Sequence, residues 1–164
     1  MKKIRTFLQI FCFCLVLSGC SNNKTQENLN ITQCMKKDDA QKLDVIGTLG
    51  EPSGEDITDG YELYTWNKYE LLKGYEGVLQ FSIDLKYNTV SWKWKHIGPE
   101  ADYKKICSVM DDEFGENNKR TFSDDTLGNG YIFTGSSTGI KNCNSIWITY
   151  NDNTTNISWV LGSF

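Results

Sequence analysis

The chain carries the same short landmarks twice, in the same order. Leu49-Gly50-Glu51 stands 65 residues before Phe114-Gly115-Glu116, and Phe81-Ser82-Ile83 stands 65 residues before Ile146-Trp147-Ile148. Ser91-Trp92 precedes Ser158-Trp159 by 67, so the second copy has a turn two residues longer. A chain of 164 residues holds two such units once any targeting segment is set aside. The competing reading is one α+β domain whose halves resemble each other by accident.

Each unit opens with a helix pattern. The first runs from Asp38 or Asp39 to Leu49, with Ala40, Leu43, Ile46 and Leu49 spaced three apart and Gly50 and Pro52 as a stop. The second begins at Gly98-Pro99, where proline suits the first helical position. Tyr103, Ile106, Cys107, Met110 and Phe114 then recur at helical spacing until Gly115. Asp111 and Asp112 stand near its end, where acidic groups oppose the helix dipole and need solvent or a partner. Period-two runs follow each helix: Tyr61–Trp66, Val78–Leu85 and Thr89–Ile97, then Tyr131–Thr134, Ser145–Tyr150 and Asn156–Leu161. Aromatic residues at 13% suit such strands. The expected class is α+β: two tandem repeats of a short helix plus antiparallel strands, forming a sheet with helices packed on one face.

The first twenty residues address the chain. Lys2, Lys3 and Arg5 precede an apolar run, Phe7–Leu17. Eleven residues at about 1.5 Å each span roughly half of a ~30 Å hydrocarbon core, too little for a transmembrane helix. Leu17-Ser18-Gly19-Cys20 resembles the lipobox of bacterial lipoproteins. That resemblance implies cleavage between Gly19 and Cys20, a diacylglycerol thioether on Cys20, and a protein held on the outer side of a cell membrane. The expected segments are a signal peptide at 1–19, the lipidated cysteine and a polar tether at 20–34, a first repeat at 35–97 and a second at 98–164. Losing Lys2, Lys3 and Arg5 leaves a body more acidic than the whole chain's −4. Such a body is repelled by an anionic bilayer, so the anchor is lipid and not a polybasic patch. It is also a poor partner for nucleic acid.

Leu49-Gly50-Glu51-Pro52, the aromatic strand Tyr61-Glu-Leu-Tyr-Thr-Trp66, Val78-Leu-Gln-Phe-Ser-Ile83 and the return strand Val90-Ser-Trp-Lys-Trp94 together resemble the β-lactamase-inhibitory-protein-like group. They are also similar to the related small outer-membrane assembly lipoproteins of the SmpA/OmlA type. Cys34-Met35 stands where that group commonly has Gly-Met, and the second half departs further than the first. The resemblance implies a fold and a habit of binding proteins. It does not imply inhibition of a lactamase.

Chemistry is sparse. His96 is the one histidine, and it sits at a strand end rather than beside a nucleophile. Cys12 and Cys14 lie in the signal, leaving Cys34, Cys107 and Cys143 for an oxidising compartment. The expected disulfide is Cys107–Cys143, stapling the second helix to a strand of its own repeat. The alternative is that Cys107 is simply an apolar residue on a helix face. Gly135-Ser-Ser-Thr-Gly139-Ile-Lys141 lacks the spacing of a phosphate loop, and Asp111-Asp112-Glu113 and Asp124-Asp125 lack a calcium loop's pattern. No catalytic residue, metal site or cofactor is expected.

The aromatics carry the remaining expectation. If Leu63 faces the core, Tyr64 and Trp66 face out, and Trp147 points opposite Ile146 and Ile148. Open-face aromatics make good interface anchors, whereas a one-residue slip would place them in the core. The expected function is a membrane-anchored extracytoplasmic lipoprotein, non-enzymatic, binding another extracytoplasmic protein through Tyr64, Trp66 and Trp147. The rival reading is an envelope enzyme or small-ligand receptor with an acidic cleft around Asp124 and Asp125.

Overall fold

The structure, a computed structural model, describes residues 42–140 and 143–162. The expectations for Gly19, Cys20, the tether and Cys34 lie outside those residues. In chain order the elements are α1 (Lys42–Leu49), β1 (Gly54–Thr58), β2 (Tyr61–Leu72), β3 (Tyr75–Asp84), β4 (Thr89–Ile97), α2 (Glu100–Phe114) and a 3-10 turn (Glu116–Asn118). There follow β5 (Lys119–Asp124), β6 (Gly128–Thr134), the single turn α3 (Gly135–Thr138), β7 (Cys143–Asn151) and β8 (Thr154–Leu161). All eight strands join one sheet in the order β1-β2-β3-β4-β8-β7-β6-β5, with every neighbouring pair antiparallel.

That finding corrects the α+β expectation. Strand accounts for 57% and helix for 23% of the described residues, so the protein is a mainly antiparallel β structure rather than a sheet under a layer of helices. Two strands escaped the periodicity argument because they have nothing to bury. Every residue of β1 is exposed, and β5 buries none of its residues fully. Both are edge strands, where charge protects unpaired backbone from other chains. The central strands also run past their apolar stretches, β2 reaching Leu72 and β3 starting at Tyr75.

The sheet reads alike from either end. Each half is a four-stranded meander, and β4 pairs with β8 at the middle, Val90 opposite Leu161 through Ile97 opposite Thr154. Trp92 lies directly opposite Trp159, and their rings stack at 5.8 Å with 11° between planes. These are the matching tryptophans of the two Ser-Trp landmarks. Two copies related by a two-fold axis would make this arrangement.

One face of the sheet is the core. Leu79, Phe81, Trp92, Trp94, Phe133, Ile146, Ile148, Ile157 and Trp159 are buried there, and α2 turns Tyr103, Ile106, Met110 and Phe114 inward. Tyr103 stacks on Tyr150 at 5.1 Å and on Tyr131 at 6.3 Å, while Phe114 meets Phe133 at 5.5 Å. Asp111 finds its partner on the next strand: its carboxylate accepts a hydrogen bond from Lys119 at 2.5 Å. Burial alone would lower the Lys119 ammonium, but that bond and the charges of Asp111 and Glu116 hold it above its ordinary value.

Tyr64 and Trp66 belong to this core, at 1% and 2% exposure, which corrects their expected place on an open surface. Pairing decides it, since Tyr64 lies opposite Phe81 and Trp66 opposite Leu79, both core residues of β3. Turning both rings inward buries far more area than turning Leu63 inward would. Trp66 also donates its indole N–H to Gly50 O at 3.1 Å. A bulge between Trp66 and Tyr69, with Lys68 at φ 59°, then resets the alternation so that Tyr69 and Leu71 are buried as well.

Candidate functional site

The other sheet face is where side chains remain free to act. The ladder sets Thr65, Gln80, Lys93, Ser158, Trp147, Ile132 and Arg120 in one row across seven strands. A second row runs from Lys95 through Asn156 and Thr149 to Gly130 and Phe122. Over the middle of these rows lies an open depression of about 700 Å³, bordered by Lys93, Lys95, Trp147, Asn151, Asn156 and the turn residue Leu127.

Its aromatic wall is built by backbone geometry. Trp147 is half-buried, and its indole donates to Ser145 Oγ at 2.7 Å. The edge of Phe122 meets it at 5.2 Å and 68°. Phe122 lies over Gly130, where a Cβ would stand 3.0 Å from its ring and 2.2 Å from Ile148 O. Glycine is therefore what lets the ring lie flat on the sheet beside Trp147. The opposite wall is cationic. Lys93 and Lys95 are exposed, and neither has an ion-pair partner among the described residues.

The rim is the β5–β6 turn. Asp124 accepts hydrogen bonds from the N–H groups of Thr126 and Leu127, both at 2.8 Å. Those donors hold its carboxyl below the usual carboxylate range, the Leu127 N–H more strongly than the Thr126 N–H. Asn151 donates to Thr126 O at 3.4 Å, keeping the turn beside the depression. Asp124 thus serves the turn's backbone. The depression has two lysines against the single carboxylate of Asp152 on its border, so this depression is not an acidic cleft.

The remaining expected residues lie elsewhere. Cys107 and Cys143 are two separate buried thiols rather than a bridge. Each has its own partner, a hydrogen bond with Tyr103 for Cys107 and one with Thr138 for Cys143. Burial, aided by the Asp111 charge, pushes the Cys107 thiol up to about 11 against the pull of the Tyr103 bond, and burial likewise raises Cys143. Buried neutral thiols are inert toward metals and nucleophilic chemistry. His96 is buried at the junction of the halves. Its Nδ1 donates to Glu76 O at 2.7 Å, since a carbonyl only accepts, and its Nε2 faces Asp102 Oδ2 at 3.3 Å. It ties β3 to the first turn of α2. The Gly135 segment forms α3, with Thr138 donating to Gly135 O at 2.9 Å.

Of the three aromatics expected on an open face, the structure has Trp147 there, half-buried; sequence reasoning did not join Phe122, Lys93 and Lys95 to it. Lys93 and Lys95 were legible as the outward residues alternating with Trp92, Trp94 and His96. Phe122 was not, because its strand has no alternation to read. Among the described residues no group of three or more His, Cys, Asp or Glu is placed to hold a metal, and no helix is long and apolar enough to cross a membrane. No family model, curated protein or solved structure matches this chain.

Proposed function

We propose that the protein is a membrane-anchored extracytoplasmic lipoprotein that acts without catalysis, holding another protein on its open sheet face. One observation carries the reading: Trp147, backed by the edge of Phe122, borders one depression with Lys93 and Lys95, which have no ion-pair partner among the described residues, on a face the core does not use. Half-buried aromatics at the centre of a polar, donor-rich patch are the usual anchors of protein interfaces. The groups around the depression are mainly ammoniums, amides, hydroxyls and a ring face, with the one carboxylate of Asp152, which suit holding a surface more than breaking a bond. The likeness to the β-lactamase-inhibitory-protein-like group supports a binding habit, and the lipobox likeness of Leu17-Ser18-Gly19-Cys20 supports the anchor.

The test uses the full chain in its own membranes, with a photo-crosslinking amino acid at Thr149. A discrete crosslinked protein is expected, and it should be lost on Trp147→Ala and on Lys93→Glu. The same crosslink in all three proteins would remove the open face from the reading. Incorporation of labelled fatty acid, abolished by Cys20→Ser, checks the anchor separately.

A further inference from the structure

Of seven large apolar side chains exposed among the described residues, four stand at one end of the sheet, Ile57 and Tyr61 on either side of the β1–β2 turn and Leu85 and Tyr87 in the β3–β4 turn. Scattered surface apolar residues need no explanation, but a cluster does. Two hairpin tips build it. The β3–β4 turn leans on the β1–β2 turn, Leu85 N–H donating to Gly60 O at 2.9 Å. Asp84 accepts from the N–H groups of Lys86 and Tyr87 at 3.0 and 3.1 Å, so its charge is turned to the backbone. The result holds Leu85 and Tyr87 out into solvent, at 62% and 67% exposure, with the Lys86 ammonium 5.2 Å from the centre of the Tyr87 ring.

We propose that this double tip is a second contact with the bilayer, dipping Leu85 and Tyr87 into the headgroup region; the proposal rests on the lipid-anchor reading of Cys20. Tyrosine and lysine are the residues that settle at membrane–water interfaces, with an apolar body and a polar or charged end, and leucine supplies the apolar depth. The chain between Cys20 and Lys42, at up to ~3.4 Å per residue, is long enough to let any side of a body with a radius of gyration of ~14 Å reach the surface. A body already confined there needs only a small patch to stay down. Asp56 and Asp59 flank the tips. The contact is therefore carried by rings and aliphatic carbon, and it neither requires anionic lipid nor weakens with salt. β4 runs from Thr89 at the tip to Ile97, whose partner Thr154 borders the depression, so seating the tip leaves the Thr154 end of the depression away from the membrane.

A polarity-sensitive fluorescent amino acid at position 87, with a control at Leu127 near the far end, tests this. The full chain is reconstituted by its own lipid in phosphatidylcholine vesicles, or attached through an N-terminal histidine tag to nickel-chelating lipid in the same vesicles. In both arms the position-87 probe should shift to shorter wavelength and be quenched by shallow spin-labelled lipid, while the Leu127 probe should not. The shift should survive high salt and be lost on Leu85→Ser. Equal behaviour of the two probes, or protection of position 87 only in envelope fragments that retain their proteins, would overturn the proposal. If no fatty acid enters at Cys20, the anchor reading fails while the nickel arm still decides the tip.

Discussion

Trp66 on β2 and Trp147 on β7 are both strand tryptophans, yet the sheet gives them opposite work. Trp66 fills core volume and satisfies Gly50 O, so Trp66→Ala should cost about 3–5 kcal/mol, the range for large aromatic deletions. Trp147 is half-buried and touches the edge of one ring, so Trp147→Ala should cost about 1 kcal/mol and chiefly remove binding. Urea midpoints of the two variants, measured beside crosslinking yield, separate these effects; equal destabilisation would contradict the assignment of faces. Asp124 gives a pH test at the same scale. Its carboxyl is held low by two backbone donors, so the turn it closes is favoured at neutral pH and loses that support as pH falls through its lowered pKa. Amide exchange at Thr126 and Leu127 should accelerate over that acidic interval in the wild type, and Asp124→Ala should be fast at every pH.

At the scale of elements, Gly130 on β6 is where the sheet and the site make one demand. A methyl there would press on Ile148 O and the Phe122 ring. Gly130→Ala should therefore destabilise by about 1–3 kcal/mol and swing Phe122 off Trp147, lowering crosslinking more than its loss of stability explains. Thermal unfolding of the variant beside its crosslinking yield checks this, and an unchanged yield would show that Phe122 is dispensable. The same strands mark the limits of what could be read from the chain. Thr89–Ile97 was legible to its ends because Val90, Trp92, Trp94 and His96 alternate with polar residues. Helix α2 was legible from its stop and its apolar spacing. Edge strands β1 and β5 were hidden, since exposed polar residues pair through backbone alone and leave no pattern. The facing of β2 was hidden too, because alternation fixes which residues share a side but not which side is inward. Only the pairing of Tyr64 with Phe81 settles that. With β1 and β5 added and β2 and β3 longer than their expected stretches, the class moved from α+β to mainly β.

For the whole molecule, the question is whether two similar halves are also two stable bodies. The β4–β8 seam argues that they are not. Backbone pairing crosses it from Val90 to Ile97, and Trp92 and Trp159 stack over it as fully buried rings. Separating the halves would expose both indoles and two strand edges with long apolar faces, a loss no four-stranded meander of this size replaces. His96 adds a polar tie from Glu76 to Asp102 across the same junction. Among the described residues the indole N–H groups of Trp92 and Trp159 have no hydrogen-bond partner, so ring contact and burial hold this stack. Unfolding should accordingly be one cooperative step, with tryptophan fluorescence and far-ultraviolet circular dichroism tracing the same curve. Trp92→Ala should lower that single curve by about 3–5 kcal/mol without splitting it. A biphasic curve in either protein, or a soluble folded fragment ending at residue 97, would show that the first half stands alone and that the tryptophan stack only docks two finished domains.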